Sequence, residues 1–400
     1  MVSVFETLDE LVRNKGGSDG WLEEYLYSRG ILSQKDDEGR LTVYADQQYS
    51  APDGEWRNVG NHIIKCNCDG IQIVAAGMPQ AYPESSYDDF IPKLANGIYD
   101  IYAIPFIGTL CWLWFDTLDQ HWYLGSKRSS NLIGVSWRKG RESFDVAFAK
   151  ALPDDFNWSI LNKQYTYSFL LHSHDIHLFT PSSMSNRQLL FVGARRNEIN
   201  SPIEYPDIGV PRQKPIITKA KLSLKECIAL YAKMATSIAH LEESNEVCLG
   251  YIFRPHKHNS ICEHVLVKSQ LHAFIDTVIG EFSDIRDAVH SSIYMPKSKS
   301  EQMRKIFPDL KDTFDKVENT INNLIDTILS DELDGNDDVE QIRIIIMETV
   351  QPYAIKDVDI RRQVVYDAIR NPTEDTSNQD IMRKRLARLI RETVPLKNDE

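Results

Sequence analysis

The chain has 400 residues, 42% of them hydrophobic and 26% charged, with 58 acidic against 45 basic side chains and a net charge of -13. That length allows two or three domains with real cores, and the charge excludes a globally basic nucleic-acid binder, so any grip on phosphates has to come from a local patch. No stretch reaches the ~18 consecutive apolar residues of a membrane span. The first twenty residues carry acids and no apolar h-region, and six cysteines suggest no disulfide framework; a reducing, cytoplasmic or intracellular setting is expected.

In chain order, residues 4–29 read as two short helices divided at Lys15 to Gly20, with Ser18 or Asp19 available as an N-cap. From about residue 40 to 270 the pattern is mostly β. Short runs such as Leu41 to Tyr44, Ile71 to Val74 and His121 to Leu124 lie between Gly, Asp, Asn and Pro. Residues 102–116 (YAIPFIGTLCWLWFD) alternate like a strand, bend between Pro105 and Gly108, and resume as an aromatic strand. Helical periodicity interrupts this region at Leu224 to Glu242. Beyond residue 270 it takes over, at Gln270 to Ile285, Ser300 to Leu329, Asp338 to Val350, Val358 to Ile369 and Asp380 to Thr393. The acidic run 330–338 reads as a solvated loop, and Pro352 and Asn371-Pro372 mark helix ends.

Several clusters invite functional readings and have plainer ones. Cys248, His256, His258, Cys262 and His264 concentrate metal-ligand types, but their spacing fits no standard finger and a hairpin would send alternate residues to opposite faces; a polar turn is expected, as it is for Cys66 and Cys68. Trp112, Trp114, Phe115, Trp122 and Tyr123 suit base stacking, with core packing the expected role. Arg195 and Arg196 read as structural or solvated. Arg383, Lys384, Arg385, Arg388 and Arg391 form the densest basic stretch, with 384, 388 and 391 along one helical face; a solvated face is the default.

The succession of β segments over roughly residues 30–280 resembles the bacteriophage-type RNA ligase family of covalent nucleotidyltransferases. Asn61 to Ile73 (NHIIKCNCDGIQI) looks like the family's segment ending in ECRGIIF, and Ala81 to Glu84 like the RPFP that follows. Residues 99–130 match the KLDG segment and its TRGS end, 165–179 and 189–198 the next strands, and 248–255 (CLGYIFRP) and 264–275 (HVLVKSQLHAFI) the EGYV and KVK segments. The resemblance implies an α+β fold: an antiparallel nucleotidyltransferase-like β body over 31–280, an N-terminal helical segment over 1–30 and a C-terminal helical domain over 281–400.

At the family's chemical positions this chain departs from the pattern. The nucleophilic lysine, which attacks the ATP α-phosphate, falls on Pro105, which has no amine. The central glutamate falls on Leu170, the glutamate of EGYV on Leu249, the first lysine of KVK on Leu266, and the arginine of ECRG on Asp69. An α-phosphate beside three leucines lacks the cations and metal ligands that stabilise its developing charge. The expectation is therefore an inactive, RNA-ligase-like pseudoenzyme with no catalytic residue, no metal site and no cofactor, serving a structural or interaction role. The three leucines are expected to meet beneath the Pro105 to Gly108 turn. Lys268, with Lys127 and Arg128 from the TRGS position, would bind phosphate if any binding is retained. A protein partner is favoured over weak RNA binding, and the family's occurrence in phages and large DNA viruses implies a viral protein and admits a virion location. The alternatives are an active ATP- and Mg-dependent ligase with a displaced nucleophile, for which Lys93 in KLANG is the candidate, or a non-catalytic RNA or nucleotide binder. The partner, the oligomeric state and the source are left open.

Overall fold

The structure, a computed structural model, describes residues 4–15, 20–45, 61–79, 82–83, 97–106, 108–136, 142–173, 187–198, 201–221, 223, 225–226, 229, 249–256, 264–269, 272, 285–294, 300–301, 303–304, 307, 310–330, 335–350, 352, 355–370 and 376–394. The chain divides into two compact units, Met1–Thr180 with Met184–Ala273, and Pro181–Ser183 with Phe274–Glu400.

The first unit opens with helices α1 (Val4–Lys15) and α2 (Trp21–Tyr27). Phe5, Leu8 and Val12 recur at helical spacing and bury one stripe of α1. They pack, with Leu22 and Leu26, on Ile31, Leu41, Val43, Ile64 and Ile73. Those residues belong to an antiparallel sheet in the order β1 (Ile31–Lys35), β2 (Arg40–Ala45), β3 (His62–Asn67), β4 (Gly70–Ala76). The N-cap of α2 is Gly20 at φ 71° with no side-chain cap; Ser18 and Asp19 lie outside the described residues. Strand β1 begins well before the residue 40 at which alternation was read, because its SQK end is polar and exposed.

The aromatic strand is β7 (Thr109–Asp116), in a second antiparallel sheet ordered β10 (Arg187–Arg196), β9 (Tyr165–Ser173), β7, β8 (His121–Ser126). Trp112 and Trp114 are wholly buried against Ile63 and Ala75, which joins the first two sheets face to face. Phe115 is buried, and the half-buried Trp122 and Tyr123 stack on Phe115 and Trp114. Core packing is the role observed. A helix not anticipated from sequence, α3 (Phe144–Ala151), sets Phe148 edge-on to Phe169 at 5.2 Å. Its eight residues are too few to establish a clear helical period.

The third sheet runs β11 (Ile217–Ala220), β6 (Tyr99–Ala103), β12 (Gly250–Pro255), β13 (Val265–Lys268), β5 (Tyr82–Pro83), antiparallel except at β13 and β5. The expected hairpin is present, with Gly250 opposite Lys268. Since β6 lies in the third sheet and β7 in the second, the Pro105 to Gly108 bend is a crossover between sheets. Proline, with no N–H to give to a ladder, suits the point at which pairing is exchanged. The Leu224 to Glu242 and Gln270 to Ile285 helices fall mostly outside the described residues.

The second unit contains α4 (Ile285–Ser291), α5 (Lys311–Leu329), α6 (Asp337–Val350), α7 (Val358–Arg370) and α8 (Thr376–Thr393). Phe314, Val317, Ile321, Leu324, Ile325 and Ile328 give α5 one buried face. The helix read from Ser300 starts instead at Lys311, after Pro308, which disfavours helix at the residue before it. The acidic run is also corrected. Asp337 and Asp338 open α6, and Asp338 is buried, accepting from Arg385 at 2.6 Å and pairing with Arg388. Arg391 makes a two-pronged pair with Asp287, and the Arg383 guanidinium lies 4.7 Å from the Tyr294 ring. Two members of the basic stripe, Arg388 and Arg391, are thus held by acids of the same unit. No helix among the described residues is long and apolar enough to cross a membrane.

Candidate functional site

A cavity of about 310 Å³ lies in the first unit, between the second and third sheets. The crossover supplies one wall. Ile104, Phe106 and Gly108 line it, while Pro105 between them is exposed and is not among the described lining residues, as the alternation of an extended chain requires. Glycine is needed at 108: a Cβ there would stand 2.8 Å from the Leu171 carbonyl oxygen and 3.0 Å from Leu170 Cδ1. Leu170 of β9 and Leu266 of β13 also line the cavity. Leu249 is fully buried but is not among the described lining residues. Its backbone ties three segments together: its N–H donates to Ile104 O, and its carbonyl accepts from Ser269 N (2.9 Å) and His272 Nδ1 (3.1 Å).

Polar groups enter from residues that sequence reasoning passed over. Arg254 of β12 is 5% exposed and donates to Gln213 Oε1 at 3.0 Å, with its guanidinium 4.2 Å from the Tyr102 ring. Burial, and a hydrogen bond with the Tyr205 hydroxyl, push the Tyr102 phenol well above its usual range. A charged residue in the otherwise apolar stretch YIF-R-P was the signal for Arg254: inside a sheet, such a residue needs partners.

Opposite, Asn61, Met78 and Pro79 complete the wall. Asn61 has φ 66°, its N–H donates to Val43 O, its carbonyl accepts from Gly77 N, and its Nδ2 donates to Met78 O at 2.9 Å. Behind this segment, the buried Arg195 donates to Gly77 O (2.8 Å) and Ser201 O (3.1 Å), and burial lowers its pKa to about 10. It stays a cation near neutral pH and acts as a brace, in keeping with its structural reading.

The other expected residues distribute as follows. Lys127, in the turn after β8, lines the cavity, and the neighbouring Arg128 is exposed. Lys268 shares a strand face with Leu266 and is not among the described lining residues. Asp69 sits in the β3–β4 turn, its N–H donating to Asn67 Oδ1. Lys93, Cys248, His258 and Cys262 lie outside the described residues. Of the remaining metal-ligand candidates, His256 pairs with Asp100 through Nδ1 at 3.0 Å, and His264 lines the cavity. No cluster suited to a metal ion occurs among the described residues. Cys66 is half-buried and Cys68 exposed; burial pushes the Cys66 thiol up to about 11, so it stays protonated at neutral pH.

No family model matches the chain, and no curated protein matches it. Among solved structures it is similar to an archaeal ATP-dependent RNA ligase, form 2, at 10% identity, covering 78% of this chain and 81% of that one, with a TM-score of 0.44. Form 1 of an archaeal ATP-dependent RNA ligase is 9% identical over 96% and 80%, with a TM-score of 0.38. A candidate ATP-dependent DNA ligase from Aquifex aeolicus is 10% identical over 76% and 80%, with a TM-score of 0.40. Similarity at this level carries no residue-to-residue correspondence.

Proposed function

We propose that this chain is a ligase-like protein that forms no covalent adenylate and acts by binding, as a scaffold or interaction protein. The observation that carries the reading is the apolar wall of the inter-sheet cavity: Ile104, Phe106, Leu170 and Leu266 line it where a triphosphate would need cations and metal ligands. The order of the β segments, and Pro105 at the nucleophile's position, support the same reading. On this account the protein requires neither ATP nor Mg²⁺. Its partner is a protein rather than RNA, because the net charge of -13 opposes phosphates and Arg388 and Arg391 are already paired with Asp338 and Asp287. A viral origin and a place in a virion fit the resemblance and belong to the same proposal.

The test is direct. Pure protein is incubated with α-labelled ATP and Mg²⁺ and run on a denaturing gel, where no label is expected. Metal-dependent labelling that disappears in Lys127→Ala or Lys93→Ala would overturn the reading and establish an active ligase with a displaced nucleophile.

A further inference from the structure

Asn61 carries two independent costs at one position of the cavity wall. Its backbone is left-handed at φ 66°, a region that side chains other than glycine enter against steric strain. Its side chain is 97% buried, and the Nδ2 bond to Met78 O fixes which way the amide points. Oδ1 is left buried with no donor in the protein. Buried carbonyl oxygens are nearly always paired, and an unpaired one loses its water without compensation. Strained backbone together with an unanswered polar group is the pattern of a residue held in place for something that binds.

The surroundings define what that ligand is. Phe106, Leu110, Leu170, Val192 and Leu266 supply an apolar enclosure, so the body of the ligand is apolar. Arg254 is already answered by Gln213 Oε1 and the Tyr102 ring, so no buried anion is called for at that cation. A cavity of ~150 Å³ already holds a benzene ring, and the 310 Å³ here has room for a fused bicycle. We propose that the cavity takes a compact, neutral ring compound whose N–H or O–H donates to Asn61 Oδ1, and that Asn61 is the residue that selects such a donor. This rests on the reading that the cavity is not an adenylylation site.

Indole and indene test it, having nearly the same shape but only indole an N–H. Titration calorimetry on the full chain should show indole bound roughly 10-fold more tightly, the usual value of satisfying one buried acceptor. Asn61→Gly keeps the left-handed backbone and removes the carboxamide. It should bind indene as the parent does and lose the preference for indole; retained indene binding shows that the cavity has survived the change. Equal affinities of the parent protein for the two probes would overturn the proposal. They would mean that Oδ1 is satisfied from within, Trp112 Nε1 being a second buried unpaired group, 2.8 Å from where a Cβ on Gly77 would stand. A preference that persists in Asn61→Gly, or no binding of either probe, would overturn it as well. Covalent label from ATP would instead overturn the non-adenylylating reading, and the probe affinities do not depend on that result.

Discussion

The cavity and the Arg40 cluster lie in the same unit and treat buried polar groups in opposite ways. Arg40, 5% exposed, donates to Asp36 at 2.7 Å and pairs with Asp116 and Glu38. Its guanidinium lies over the rings of Trp114 and Tyr123, and the Ser130 hydroxyl donates to the same Asp36 carboxylate. Burial raises the Asp36 pKa, but hydrogen bonds from Arg40 and Ser130 outweigh it and hold the carboxyl below its ordinary value. At the cavity, Arg254 and Arg195 are likewise answered, yet Asn61 Oδ1 between them is not. Where every group has a partner the polar cluster serves the fold; where one is left over in a cavity wall, the surplus points to binding.

Removing Arg40 is the strongest way to break that comparison. Arg40→Met leaves the buried Asp116 and half-buried Asp36 without their shared cation, and should cost about 3–5 kcal/mol, read as a lower denaturant midpoint at unchanged m-value. A loss below ~1 kcal/mol would place the cluster among solvated surface pairs.

His290 of the second unit extends the contrast to a group answered in one protonation state only. It is buried beside the Tyr294 hydroxyl at 2.8 Å, and burial, reinforced by Arg383 and Arg391, lowers its pKa to about 4 from an ordinary 6.5. The unfolded chain therefore takes up this proton before the folded one does. Its contribution is complete above pH 6.5 and is lost as pH falls toward about 4. With ~1.4 kcal/mol per pKa unit the loss comes to about 3 kcal/mol. Thermal melts between pH 7 and 4 should show that slope, and His290→Gln should flatten it; parallel curves for the two proteins would rule out the assignment.

Gly108→Ala probes the crossover wall. Its Cβ would meet the Leu171 carbonyl oxygen, which the β7–β9 ladder holds in place, so a loss of about 1–3 kcal/mol is expected, with weaker indole binding. An unchanged melting temperature would mean that the two strands can separate there at little cost. The smallest effect belongs to Asn61→Gly. Although 97% buried, the residue gives up strain and an unpaired acceptor along with one hydrogen bond, so stability should stay within ~1 kcal/mol of the parent. Destabilisation as large as that of Arg40→Met would erase the contrast between the two regions.

Much of the architecture was legible in the sequence, for local reasons. Alternation gave the β2, β4, β7 and β8 strands, and 3.6-residue periodicity gave the last three helices, because each element has one face to bury. The bend after Ala103 was visible from Pro105 and Gly108, and the hairpin from its flanking β runs. Leu170, Leu266 and Lys127 were singled out beforehand, and the cavity brings them together. Asn61, Arg195, Arg254 and Gln213 were not seen as its polar wall, since their partners lie far off in the chain. Asp338 was read as part of a solvated run because its partners Arg385 and Arg388 are about fifty residues away.

By itself, then, the sequence determined the kinds of element, their order, and which faces are apolar, because these depend on spacing within one segment. Tertiary structure alone decided that the Pro105 to Gly108 bend passes between sheets rather than closing a hairpin, and that Pro105 turns outward while Phe106 turns in. It also decided which polar groups are paired. Hydrogen bonds reach only about 3 Å, and whether Asn61 Oδ1 finds a donor within that distance depends on the Gly77 to Pro79 segment, on β12 and on the crossover arriving at one place. No local pattern encodes that meeting.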